Sequence, residues 1–156
     1  MCIIHDNNNI EHQNNILERV VTMLGHYLIF NKNCGEALEI YTKAFDAKIL
    51  ELKKYGDMPP NPAFPIAESD KELVLHARLE IDGMELMCAD GSASSTSGNN
   101  MYVSITTKDA AIVQKAWDIL KTDGNIYMQL EPSFFAAAHG SLQDKFGINW
   151  MFTALK

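Results

Sequence analysis

Glu80 and Glu85 flank the dipeptide Asp82-Gly83, and that spacing sets the two carboxylates against each other. Asp-Gly between alternating apolar runs is a strong two-residue hairpin signal. Across such a turn Ile81 faces Met84 and Glu80 faces Glu85. Like charges directly opposed on one sheet face are destabilising unless a cation lies between them. Arg78 can serve, as can a metal or a cationic ligand. If the pair is enclosed, one carboxyl rises in pKa and becomes a general base, and Glu80 is the candidate. If the pair is solvated, no chemistry follows. His76 lies on the same face, either as a ligand contact or as a half-exposed sheet histidine.

Strand alternation sorts the rest of this hairpin. Leu75, Ala77, Leu79, Ile81, Met84, Leu86 and Cys88 form a wholly apolar face, expected to pack beneath a helix. His76, Arg78, Glu80, Glu85 and Met87 form the other face, which must look onto solvent or a cavity. Cys88 is therefore expected to be an inert core thiol.

The elements around the hairpin repeat. HYLIF reads as a strand, followed by Asn33 and Glu36 in capping-box positions and an apolar stripe at Ala37, Leu38, Tyr41 and Phe45. AKILELKKY is a strand. The segment YGDMPPNPAFPIAESDKE holds four of the five prolines and must be a loop. ELVLHARLEI and MELMCAD are the hairpin strands, and GSASSTSGNN is a Ser/Gly linker. The order then recurs: MYVSI, a helical stripe at Ala110, Val113, Ala116, Trp117 and Leu120, an ending at Asp123-Gly124, NIYMQLE, and two strands around DKFG. Strand, helix and three strands thus occur twice, over about 25–90 and 100–156. Eight strands with two helices predict an α+β fold with helices on one sheet face. Residues 1–24 read as a partly helical extension, with Ile16, Leu17, Val20, Val21 and Leu24 at helical spacing.

Composition narrows the function classes. The net charge of −7 argues against nucleic acid, which needs clustered Lys and Arg. Cys2, Cys34 and Cys88 are few, odd in number and far apart, as in a reducing compartment. No apolar run approaches a membrane span, and the first residues lack a secretory pattern. A cytoplasmic protein with neither nucleic-acid nor membrane partners is expected.

The segments YLIFNKNCGEALEIYTKAF, YGDMPP, LHARLEIDGMELMCAD and DKFGINWMF, in that order, resemble the PhnB-like branch of the vicinal oxygen chelate (glyoxalase and bleomycin-resistance) superfamily. The resemblance covers nearly all of residues 26–156. It implies tandem βαβββ modules whose curled mixed sheets surround a cavity, with helices on the outer face, in a homodimer that binds a small molecule. Matched by position, the cavity surface would combine His26, Phe30, Arg78, Glu80, Glu85, Tyr102 and Ser104, with His76 and Phe135 as further contacts. Phe134 and Phe135 precede AAAHG either as an aromatic wall or as core. His139 lies near a histidine that relatives often carry.

Metal-dependent members of that superfamily use four cavity ligands. Here His26 and Glu85 match two of them, Asn100 falls at or near the third and Met151 at the fourth. A thioether is a poor ligand for hard or borderline ions, so the resemblance admits a divalent metal as cofactor but leaves its ligand set incomplete. Two functions follow as expectations. One is metal-assisted lyase, isomerase or dioxygenase-type chemistry on an unidentified substrate. The other is non-catalytic sequestration of a small, cationic compound. A docking role for the N-terminal helix is a third.

Overall fold

In the computed structural model, which describes residues 24–91, 95–96 and 98–156, the Asp82-Gly83 turn forms as expected. Both residues take positive φ, 48° and 78°, the geometry a tight hairpin turn demands and glycine accepts without strain. Ile81 pairs with Met84 and Glu80 with Glu85. Strands β3 (Val74–Ile81) and β4 (Met84–Asp90) build outward from this register. Most of the apolar face reads as expected, with Ala77, Leu79, Ile81, Leu86 and Cys88 buried, but Met84 at the turn lies beyond the helix and stands exposed.

Strand β1 (His26–Phe30) leads into helix α1 (Cys34–Phe45) and edge strand β2 (Lys48–Lys54). The proline-rich stretch between β2 and β3 is irregular apart from short 3-10 turns at Tyr55–Asp57 and Glu68–Asp70. After the linker come β5 (Val103–Thr107), α2 (Ala110–Leu120), β6 (Asn125–Glu131), β7 (Ala136–Gln143) and β8 (Asn149–Leu155). The sheet orders are β1-β4-β3-β2 and β5-β8-β7-β6. In each sheet the first strand runs parallel to the last and the other pairs are antiparallel. The two halves therefore share one topology. The sequence repeat is a structural repeat in an α+β fold of two mixed four-stranded sheets, neither closed into a barrel.

Each helix covers one face of its own sheet. α1 buries Ala37, Leu38, Tyr41, Ala44 and Phe45, and α2 buries Val113, Ala116, Trp117 and Leu120. The two helices also meet each other, and Tyr41 and Phe45 of α1 lie against Trp150 of β8 at ring distances of 5.1 Å. The core thus runs between the halves on their helical sides.

The capping of α1 departs from expectation. Asn33 makes no side-chain cap. The Cys34 N–H instead donates to the buried Asp90 carboxylate at 2.9 Å, and the other Asp90 oxygen takes the Val74 N–H at 2.8 Å. Glu36 pairs with Lys145 of the second half. A carboxylate from a neighbouring strand caps the helix and pins β3 at once, so the local Asn33 signal is overridden. Only Leu24 of the N-terminal extension falls within the described residues; the helical expectation for residues 16–21 lies outside them. No helix among the described residues is long and apolar enough to cross a membrane.

Asp144 ties the halves together. Its Oδ2 accepts from the Tyr41 hydroxyl at 2.7 Å and from Trp150 Nε1 at 2.8 Å. Its Oδ1 accepts from the backbone N–H groups of Phe146 and Ile148 at 2.9 and 3.0 Å. Burial pushes this carboxyl above its ordinary range, against the pull of the four donors. Asp144→Ala leaves four donors without their acceptor and is expected to cost about 3 kcal/mol or more in denaturant unfolding. Between the ordinary aspartate pKa and the raised one, the folded chain holds a proton that the unfolded chain has lost. The group's contribution to stability therefore weakens as pH rises through that window. Asp144→Asn should remove this slope in a pH series of unfolding curves.

Candidate functional site

With each helix on one sheet face, no helix or strand among the described residues packs on the opposite faces. Side chains facing away from the helices in the first sheet are read from the register. Tyr27 lies beside Met87, Met87 beside Arg78, and Arg78 beside Glu51. Glu80 and Glu85 flank this row, and His76 pairs with Lys53.

The opposed carboxylates are held by cations of the chain itself. Arg78 grips Glu85 with two nitrogens, Nε to Oε2 at 2.8 Å and Nη2 to Oε1 at 2.5 Å. Its Nη1 lies 3.7 Å from Glu51, which Lys53 also pairs at 2.5 Å. Glu80 has Lys48 at 3.9 Å. The Arg78 guanidinium draws the Glu85 carboxyl below the usual glutamate range, and Lys53 does the same for Glu51. Both glutamates are thus weakened as proton acceptors, whereas a general base needs its pKa raised toward the working pH. His76 Nδ1 sits 2.9 Å from the Tyr27 hydroxyl, with the rings 5.7 Å apart.

The uncovered face of the second sheet is mostly uncharged, with one carboxylate, Glu131, paired with His139 at its outer strand. Ser104 lies beside Met151, and Met151 beside Ser141. His139 lies beside Thr153, with Nδ1 3.0 Å from the threonine hydroxyl. Ser141 and Thr153 are buried although polar. Tyr102 and Tyr127 approach edge-on at 6.4 Å, and Phe135 meets the His139 ring at 5.0 Å. Asn149 holds the start of β5 by donating to the Gly98 and Met101 carbonyls at 2.7 and 3.0 Å. Gly140 keeps β6 close, since a Cβ there would stand 2.8 Å from Leu130 Cα.

The residues expected to form one surface divide among four places, the last being the groove that holds His26. His76, Arg78, Glu80 and Glu85 share the open face of the first sheet. Ser104, Tyr102 and Phe135 belong to the second sheet's side. Phe30 does not reach either face. It is 2% exposed and packs against Tyr41 and Phe146 at ring distances of 6.3 and 6.0 Å. The facing of β1 is therefore reversed from expectation: Tyr27 and Ile29 look onto the open face, and Leu28 and Phe30 onto the core. HYLIF is apolar or aromatic along almost its whole length, so alternation could not choose. The parallel pairing of Leu28 with Cys88 chooses instead. Tyr27 was missed for this reason, and the signal that finds it is the hydrogen bond to His76.

His26 pairs with Leu86, on the helix side, whereas Glu85 faces the other way. The two candidate metal ligands do not converge. His26 instead lines a groove of about 320 Å³ between the starts of β1 and β5, with Asn100, Tyr102 and Asn149. The central open-face pairs are Tyr27 with Met87 and Ser104 with Met151, a donor set of hydroxyls and thioethers unsuited to a divalent ion of the expected type. Among the described residues no group of three or more His, Cys, Asp or Glu is placed to hold a metal.

Arg78→Met leaves Glu51, Glu80 and Glu85 facing one another and should lower the melting temperature. A second change, Glu85→Gln, should recover part of the loss. The Glu85 contribution is present above the ordinary glutamate pKa and fades as pH falls through its lowered folded value. Wild-type and variant melting curves should therefore converge at acid pH.

The family model described as 3-demethylubiquinone-9 3-methyltransferase matches residues 22–153. Protein YjdN of Escherichia coli K12 is 28% identical over 141 residues, covering 85% of this chain and 95% of YjdN. Among solved structures, protein PA1353 from Pseudomonas aeruginosa is 28% identical with a TM-score of 0.74, over 85% of this chain and 97% of its own. The PhnB protein from Bacillus cereus is 26% identical with a TM-score of 0.68, over 85% and 98%. FosX from Listeria monocytogenes, solved with Mn(II) and 1S,2S-dihydroxypropylphosphonic acid, is 11% identical with a TM-score of 0.57, over 88% and 95%. That last likeness is one of fold.

Proposed function

Because this chain belongs to the PhnB-like, 3-demethylubiquinone-9 3-methyltransferase family of the vicinal oxygen chelate superfamily, we propose that it binds a small organic molecule, without a resident metal, in a cavity completed by a second copy of the chain. One observation carries this reading. Both sheets present faces lined with ordered polar and aromatic groups, and among the described residues no helix or strand packs over them. A sheet face that merely met water would have little use for Tyr27 and Ile29 at 46% and 44% exposure, or Tyr127 and Met128 at 42% and 44%. Exposed aromatic and apolar side chains of this kind, rimmed by charge, mark surfaces that are covered in use.

The ion-paired first face and the hydroxyl-bearing second face, whose one carboxylate is Glu131, make complementary halves. Opposed across a dimer, they would enclose a compartment with aromatic walls and hydrogen-bonding groups, the usual make-up of a small-molecule site. Binding without catalysis is favoured because the candidate base Glu80 has Lys48 beside it and the candidate metal ligands His26 and Glu85 point to different faces. His76, Arg78, Tyr102, Ser104 and Phe135 are the ligand contacts in this reading, and Phe30 supports them from the core. Nothing in it draws on the methyl transfer that the family's name describes.

Native mass spectrometry of the full chain, purified without added ions, tests this. The expected species is a dimer carrying an organic compound, with metal below about a tenth of an equivalent. A thermal-shift panel of small polar and cationic aromatics should contain compounds that raise the melting temperature by mass action. A monomer that responds to no compound would overturn the proposal, as would stoichiometric metal held through purification.

A further inference from the structure

The register of the two sheets brings out a correspondence that neither half shows alone. Met87 and Met151 occupy matching places, each between the first and third strands of its sheet. Arg78 therefore matches Ser141, and two residues earlier on the same strands His76 matches His139. Both histidines face away from the helices. Both have a hydroxyl at Nδ1, Tyr27 at 2.9 Å and Thr153 at 3.0 Å. Neither Nε2 has a hydrogen-bond partner among the described residues. Among those residues no buried side-chain nitrogen or oxygen lacks one. Both Nε2 atoms must therefore reach open space.

We infer that His76 and His139 are the paired recognition points of the cavity, each presenting Nε2 to the ligand, with Tyr27 and Thr153 as positioning residues, and that the ligand offers an acceptor oxygen to His76. This rests on the cavity reading above and deepens it. The direction of the Tyr27–His76 bond supplies the chemistry. A phenol donates to an imidazole nitrogen more readily than it accepts from one, and partial desolvation of the half-exposed Tyr27 hydroxyl raises its pKa above the ordinary tyrosine range, which keeps the proton on it. With Nδ1 accepting, the proton of the neutral ring sits on Nε2, which becomes a donor of fixed direction. A carbonyl, carboxylate or phosphonate oxygen satisfies it; a quaternary ammonium does not. The His139 ring is held from a second side by Phe135, whose ring lies edge-on to it at 66°. The same device on both modules would grip one ligand at two points.

Long-range proton–nitrogen correlation spectra of the labelled full chain test this at about pH 8, where imidazole is neutral. The expected result is a single Nε2–H tautomer at His76, becoming a tautomer mixture in Tyr27→Phe. Acetate and dimethyl sulfoxide, as acceptor probes, should move the ring resonances of His76; tetramethylammonium should not. An Nδ1–H tautomer at His76, or acceptor probes that leave it unmoved, would overturn the inference. If Tyr27→Phe fails to fold, the wild-type tautomer and the probe response decide. Sedimentation of the same sample separates the two levels. A dimer with the wrong tautomer sinks this inference alone, whereas a monomer sinks the cavity reading and this inference with it.

Discussion

One buried carboxylate decides how the halves of this molecule meet. Asp144 sits 4% exposed at the β7–β8 turn and takes hydrogen bonds from its own turn, from Trp150 beside it and from Tyr41 on the other half's helix. A lone ionised carboxylate in such a place would cost several kcal/mol to desolvate. Four donors offset that cost, and they exist together only when α1 lies against β8. The interaction is thus conditional on one arrangement of the halves. Trp150, with Tyr41 and Phe45 on it, adds apolar burial along the same seam. Asp90 does a related job within the first half, joining helix start to strand start, but Asp144 alone of these two crosses between halves.

The direction of the open faces follows from that seam. When helices meet helices, the sheet faces opposite to them are left for something else, and their composition must suit water or a partner. The first sheet resolves this with ion pairs: Arg78 with Glu85 and Glu51, Lys53 with Glu51, Lys48 with Glu80. The second resolves it with hydroxyls and amides on Ser104, Ser141, Thr153 and Asn149. Duplication kept the methionine and the histidine at matching sites while arginine stands where the other half has serine. The two modules thus present one wall rich in ion pairs and one rich in hydroxyls.

Legibility in the sequence follows the same physics. The β3–β4 hairpin was readable residue by residue, because strict alternation and an Asp-Gly turn each specify the same register. The helices were readable from their stripes. Strand β1 was not, since HYLIF offers apolar groups on both faces and only its pairing with β4 selects Phe30 for the core. The α1 cap misled because Asn33 and Glu36 satisfy a local pattern, while Asp90, more than fifty residues away, outcompetes it. Asp144 in the DKFG turn carries no local sign of burial; its burial depends in part on Tyr41, 103 residues away, which no local window contains. The candidate site was half legible for this reason. Its first-sheet members stood on the readable hairpin, and those on β1 and across the pseudo-dyad required the fold.

The donor set at the centre of the faces bears on how such a protein can be selective. Tyr27, Met87, Ser104 and Met151 give a ligand no fixed cation to chelate. Discrimination must then come from hydrogen-bonding groups with fixed geometry and from aromatic walls. Sites of that kind reject poor ligands strongly when a pre-oriented polar group would be left unpaired on enclosure, and only weakly by apolar fit. The Arg78–Glu85 pair is already satisfied, so it lends rigidity and shape more than attraction. The histidines are different, because among the described residues each has a partner at Nδ1 and none at Nε2. In the proposed reading, selectivity falls to the few side chains whose hydrogen bonding a ligand would complete, and the ion pairs around them keep those few in place.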